Sequence, residues 1–189
     1  MRSDWHNKVE EVLFKVTEMI RNDGHQQDIS YFKFHKDRYQ RMALALEPKD
    51  EKKKSVLNIG SHYLHSTLIF QLLGFEVDSM DVDVFWNIDF VDARATHYQV
   101  NKIIENDLET LMSLKNIHDK YDIVLFTEIL EHITFNPIAF WKKIYDSLKT
   151  DGIIYISTPN SLNLANVIRA TIKIVTLRGI GTPLNEIFS

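Results

Sequence analysis

The sequence contains no cysteine. That removes disulfide scaffolds, thiolate zinc sites and cysteine nucleophiles together, so a metal would need histidine and carboxylate ligands. No run approaches the ~20 apolar residues of a membrane span. The first residues, MRSDWHNKVEEVLFKV, place charges where a secretory signal keeps an unbroken apolar stretch. No membrane association is expected, and a cytoplasmic location is. Excess positive charge is also missing: 22 Lys+Arg stand against 26 Asp+Glu, a net charge of -4. Such a balance gives no general attraction to a nucleic-acid backbone, so small molecules or proteins are the expected partners. Glycine is scarce, with six in 189 residues. Nucleotide-binding turns normally depend on it.

The chain length suits one domain with a single extended core. Trp5, Val9, Val12, Leu13, Val16, Met19 and Ile20 recur at steps of three and four, which predicts an amphipathic helix ended by NDG at 22–24. A second helix is predicted from a cap at Asp28 or Ser30 through YFKFHKDRYQRMALAL to Pro48. Residues 1–48 are therefore expected to pack on or cap a core formed by 49–189. The charged EPKDEKKK between them reads as a solvated linker.

From Ser55 the texture changes to short apolar runs. SVLNIG, FEVDSMDV, NKIIEN, YDIVLFTE and GIIYISTP read as strands, covered on both faces because they are so continuously apolar. HSTLIFQLLG, DLETLMSLKNIHDK and PIAFWKKIYDSLK read as intervening helices, and residues 85–100 fit neither pattern cleanly. Strand and helix in alternation predict an α/β fold, a Rossmann-like, doubly wound, mostly parallel sheet. In such a sheet a ligand sits beyond the carboxyl ends of the strands. Those ends carry Asn58-Ile59-Gly60-Ser61-His62, then Asp81 and Asp83, Asn106-Asp107, Thr127-Glu128 and Thr158-Pro159-Asn160.

This ordered set resembles the class I S-adenosylmethionine-dependent methyltransferases. YDIVLFTEILEHI is similar to that family's fourth strand with the residues just after it, and LKTDGIIYISTPN is similar to its fifth. The resemblance runs over about residues 30–160 and implies S-adenosylmethionine as cofactor and a small-molecule methyl acceptor, such as a sugar or another hydroxylated metabolite. It implies that Asn58, Gly60, Ser61 and His62 form the cofactor turn. Asp81 would accept the ribose hydroxyls, with Asp83 as near competitor, and Asp107 and Leu108 would flank the adenine. Glu128 would face both the methionine part of the cofactor and the acceptor, and His132, if a helix starts promptly, would share its face. Two readings stay open at two positions. Asp107 is equally suited to capping a helix through NDLETL, and His132 either accepts a proton or only positions neighbours. His62, His65 and His132 lack the spacing of a recognised metal site, and no metal is expected.

The turn departs from the family pattern D-x-G-x-G-x-G. Here it reads Asn58-Ile59-Gly60-Ser61-His62-Tyr63-Leu64, with Gly60 as its one glycine. Leu64 stands in the place of the third glycine, so its side chain must point away or crowd the site. Arg38 and Tyr39 lie on a helix resembling the one that packs over the cofactor mouth, where Arg38 is suited to meeting a carboxylate. Twenty-nine residues follow Asn160, too few for a helix and two ordinary strands, so the family's final strand pair is expected to be absent and self-association through the C-terminal segment is expected. A catalytically impaired binding or regulatory protein of the same fold is the competing reading. A nicotinamide oxidoreductase is disfavoured by the missing dinucleotide fingerprint.

Overall fold

The computed structural model describes residues 3–159. The first helix, α1 (Asp4–Asp23), begins where the Ser3 side chain accepts a hydrogen bond from the His6 N–H and ends at Gly24, whose φ of 77° any side chain would resist. Its buried face is Trp5, Val9, Val12, Leu13, Val16 and Ile20, the stripe the periodicity predicts. The second helix, α2 (Gln26–Ala45), starts ahead of the predicted caps. Asp28 lies inside its first turn and caps nothing. Its carboxylate is fully buried because it has stronger partners across the core, His65 and Arg94.

The sheet consists of β1 (Ser55–Ile59), β2 (Glu76–Asp81), β3 (Asn101–Ile104), β4 (Tyr121–Thr127) and β5 (Leu148–Ser157), in the order β3-β2-β1-β4-β5 with every pairing parallel. The order reverses between β1 and β4, which sets a topological switch point at their carboxyl ends. The helices α3 (His65–Leu73), α4 (Asp83–Trp86), α5 (Asp89–His97) and α6 (Ile138–Ser147) complete the described elements with two short 3-10 turns, Met112–Leu114 and Leu130–His132.

Period-two alternation divides the strand residues between two cores. Val56, Val77, Ile123 and Leu125 point to one face, where they join α1, α2, α3 and α5. Leu57, Ile59, Met80, Val124 and Phe126 point to the other, packing with Phe140 and Ile144 of α6. The sheet is thus doubly wound, and α1 and α2 share the first core with it.

Two readings are corrected and one open stretch is assigned. No helix covers 107–120, because the Glu105 carboxylate accepts the N–H of Asp107 (3.1 Å) and of Ser113 (2.8 Å), and these bonds hold the backbone in a turn that buries Leu111 and Leu114. No α-helix begins at ILEHI, because Glu128 adopts φ 58° and only a 3-10 turn comes after it. The unassigned stretch 85–100 is mostly helical, holding the end of α4 and the whole of α5. The edge strands β3 and β5 differ from the expectation of full coverage: Ile104, Ile153 and Ile156 are exposed. The expectations of a missing strand pair and of association through the C-terminal segment fall on residues outside those described.

Candidate active site

The turn after β1 is built by backbone rather than by glycine. The N–H groups of Gly60 and Ser61 both donate to the Met80 carbonyl, at 2.9 and 3.1 Å. Gly60, His62 and Leu64 take φ values of 71°, 47° and 68°. The chain therefore keeps a glycine-like trace through two residues that resist it, at a cost of about 1–2 kcal/mol each. Leu64 compensates by pointing away from the site into the first core, where it is completely buried. At Gly60, a Cβ would stand 2.5 Å from Ile129 Cδ1, so a side chain there would both displace Ile129 and strain the φ of 71°.

The loop closes over Asp81. One carboxylate oxygen accepts the His62 N–H at 2.6 Å and the other the Val82 N–H at 2.8 Å. Each oxygen keeps a free lone pair. Burial raises the Asp81 pKa above the ordinary carboxylate value, and the two backbone bonds oppose that shift. Asp81 forms part of the wall of a cavity of about 470 Å³ at the switch point, within the usual range for small-molecule sites. Ile59, Met80, Phe85, Leu108 and Ile129 supply apolar walls, and Glu105, Thr127, Glu128 and His132 supply polar ones.

Of the residues singled out in the sequence, Gly60, His62, Asp81, Leu108, Glu128 and His132 line this cavity. Asn58, Ser61 and Asp107 do not. Asn58 lies on the same sheet face as Val56, so its amide is carried under α3, where it donates to Ser66 Oγ at 2.9 Å and Thr67 Oγ1 at 3.0 Å. Ser61 is buried and offers the turn its backbone. Asp107 caps its own turn, accepting the Glu109 and Thr110 N–H groups and the Thr110 hydroxyl. The competitor Asp83 begins α4 and also lies outside the lining. Glu128 and His132 share the cavity through the 3-10 turn and not through a helical face, and the His132 N–H donates to the Ile129 carbonyl at 2.8 Å.

The roof comes from α2, and only part of it was legible. Arg38 Nη1 stands 3.1 Å from Glu128 Oε1, so the carboxylate Arg38 meets belongs to the protein itself. Ser157 also donates its hydroxyl to Glu128, at 2.9 Å. Tyr31 stacks on the His62 ring at 4.4 Å, and Phe85 approaches that ring at 4.5 Å. Enclosed in this way, His62 has its pKa lowered by burial to about 4 and remains neutral. Tyr31 lies on the helix that resembles the cofactor-mouth helix and Phe85 just after Asp83, but no motif marks either aromatic as a site residue.

Behind the turn lies a buried charge network. Asp28 accepts from His65 Nε2 at 2.6 Å and from Arg94 Nη2 at 2.6 Å, and Arg94 also binds Asp23 and the Tyr63 carbonyl. Burial acts to raise the Asp28 pKa, but the hydrogen bonds and charges of His65 and Arg94 more than reverse it. His65 is held below its ordinary value by burial. The pair is an ionised carboxylate and a neutral imidazole that donates Nε2–H, with Nδ1 facing the Tyr39 hydroxyl at 3.4 Å. The network ties α1, the start of α2, α5 and the first residue of α3 behind the cavity.

Comparison with known proteins agrees with this architecture. A family profile described as a methyltransferase domain matches residues 30–173, more than half of the chain. Among solved structures, a S-adenosylmethionine-dependent methyltransferase from Archaeoglobus fulgidus superposes with a TM-score of 0.54 at 20% identity, covering 75% of this chain and 64% of that one. A protein from Pyrococcus horikoshii superposes with a TM-score of 0.53 at 17% identity, over 80% of this chain and 66% of the other. A Bacillus subtilis protein gives 0.51 at 20% identity, over 65% and 50%. Likeness at these identities establishes the fold. The chain spans half to just under two thirds of the length of these structures. No curated protein matches it in sequence.

Proposed function

The chain belongs to the methyltransferase domain family, and from that premise we propose that it binds S-adenosylmethionine and transfers the methyl group to a hydroxyl of a small molecule. The observation that carries this reading is Asp81: a partly buried carboxylate at the end of β2, fixed by two backbone N–H groups, with a lone pair left on each oxygen for a diol. The residues present suit the cofactor. Asp81 would accept its ribose hydroxyls, Leu108 and Ile129 would bound its adenine, and the turn from Gly60 to His62 would lie along it. When bound, S-adenosylmethionine supplies a methyl group made electrophilic by the sulfonium.

The chain's own groups then have three tasks. Apolar walls and the Tyr31 roof exclude water, so that the acceptor oxygen is held without a competing solvent nucleophile. Glu128, fixed by Arg38 and Ser157, orients the acceptor, which supplies most of the acceleration an in-line displacement needs. His132 or Glu128 takes up the proton that the acceptor hydroxyl releases. Isothermal titration with S-adenosylmethionine and S-adenosylhomocysteine tests the reading directly. Dissociation constants of about 1–100 μM are expected, equivalent to roughly 5–8 kcal/mol. Absence of heat at millimolar ligand, or tighter binding of a nicotinamide dinucleotide, would defeat it.

A further inference from the structure

Arg94 on α5 makes one hydrogen bond that its charge does not require. It is 4% exposed, and two carboxylates balance it: Nε and Nη2 lie 3.1 and 2.5 Å from Asp23 Oδ2, and Nη2 lies 2.6 Å from Asp28 Oδ2. Nη1 serves neither. It donates to the Tyr63 carbonyl at 2.8 Å. Tyr63 stands between the two residues of the turn that resist their own conformation, His62 at φ 47° and Leu64 at φ 68°. The peptide joining Tyr63 to Leu64 is therefore held at both ends, since its N–H donates to the Ser61 carbonyl at 2.8 Å and closes a four-residue turn. His62 is the second residue of that turn, where a positive φ ordinarily calls for glycine. Without the restraint, histidine gains by relaxing to negative φ, and doing so reorients the N–H that Asp81 accepts at 2.6 Å.

We propose that Arg94 is a positioning residue for the cofactor turn: by gripping the Tyr63 carbonyl it stabilises a left-handed conformation that glycine adopts unaided, and so keeps the His62 N–H on Asp81. Arg94 lies outside the cavity lining and acts through the backbone of Tyr63 and His62. Its two carboxylates aim it. Asp23 closes α1 and Asp28 sits in the first turn of α2, so the planar fork is fixed on both sides of the corner between these helices, and its third nitrogen is directed at the turn. A buried ion network is a weak source of stability. It fixes direction well, and direction is what a strained turn needs. The effect of Arg94 on binding rests on the methyltransferase reading, whereas its grip on the turn does not.

The test compares the effect of Arg94→Lys in two backgrounds, wild type and His62→Gly. Lysine keeps a charge for Asp28 but cannot reach two carboxylates and a carbonyl from one planar fork. Two quantities are read in all four proteins: hydrogen exchange of the residue 62 amide by NMR, and affinity for S-adenosylhomocysteine by calorimetry. In the wild-type background, Arg94→Lys is expected to speed that exchange about tenfold or more and to weaken S-adenosylhomocysteine about fivefold or more. In the His62→Gly background, where the conformation needs no grip, both changes are expected to stay below about twofold. A residue that only supports the core would change both backgrounds equally. That result, or faster exchange with S-adenosylhomocysteine bound as tightly as before, overturns the proposal. If S-adenosylhomocysteine binds none of the four proteins while exchange follows the expected pattern, the cofactor reading falls and the grip on the turn stands. If it binds all four alike and exchange does not respond, the grip falls and the cofactor reading stands. Should Arg94→Lys fail to show a cooperative urea transition, Asp23→Asn takes its place, because Asp23 is exposed and Arg94 then still pairs with Asp28. Effects of about twofold or more confined to the wild-type background are expected of it, and equal effects in both backgrounds, or none, overturn the proposal.

Discussion

Arg38 on α2 and Glu128 just after β4 form a largely buried ion pair, 3.1 Å between Nη1 and Oε1. A contact between the roof and the sheet means that the two residues should act as one unit. Arg38→Ala and Glu128→Gln are each expected to weaken cofactor binding, and the double variant to lose less than the sum. A coupling of about 0.5–2 kcal/mol is expected in calorimetric affinities. Strict additivity would show that the pair is incidental to the site.

Asp81 and Asp83 are two residues apart and should behave differently. Asp81→Ala is expected to reduce affinity for S-adenosylmethionine at least tenfold, in keeping with the ~1.5–3 kcal/mol of a charge-assisted hydrogen bond. Asp83→Ala, outside the cavity lining, should leave it within twofold. If titration shows the larger loss at Asp83, the ribose is not held at the end of β2 by Asp81.

Leu64 should invert an ordinary rule. Removing its buried side chain should cost about 2–5 kcal/mol. Glycine usually costs about 0.5–1 kcal/mol more than alanine because of its backbone freedom. At φ 68° alanine keeps the strain and glycine releases it, so Leu64→Gly is expected to be no less stable than Leu64→Ala, as read from urea unfolding. A clearly more stable alanine variant would mean that the left-handed conformation is not maintained in solution.

Burial holds His35 and His62 near pKa 4 and places His65 below its ordinary value. The unfolded chain binds protons at these positions with pKa about 6.5 while the folded chain does not, so acid favours unfolding. The urea midpoint is expected to fall as pH drops from about 6.5 toward 4. Asp28, with a lowered folded pKa, keeps its contribution through this window and loses it only below about 3.8. Asp81, whose pKa is raised, acts in the opposite sense. His62→Phe should flatten part of the slope. A midpoint unchanged between pH 7 and pH 5 would contradict the burial of these rings.

The sheet was legible because its strands are short apolar runs that end sharply, and those ends, with the family resemblance, pointed to Asp81, Glu128 and the turn, all of which border the cavity. The direction of Asn58 was also available in principle, since alternation from Val56 sends it under α3. What could not be read was settled between distant residues. Glu105 replaced a helix with a turn by collecting two backbone N–H groups, and Asp28 left its expected role as a cap because Arg94, 66 positions away, reaches it. Neither competition leaves a trace in local periodicity. Positive φ at His62 and Leu64 was equally hidden, because a sequence signals that conformation mainly through glycine.

The sheet order also bears on time. At the centre of the sheet Val56 pairs with Ile123 and Asn58 with Leu125, so β1 waits for a partner made 67 residues later (123 − 56). At a synthesis rate of about 5–20 residues per second, that interval lasts roughly 3–13 s. During it β1 can pair with β2 on one side while its other edge lies open, the kind of edge that recruits foreign strands. Ribosome-stalled chains that stop before Tyr121 should accordingly be captured by chaperones or cut by protease, and chains extended past Ser157 should resist both. For this fold, the most hazardous stretch of its existence falls before the cavity exists at all.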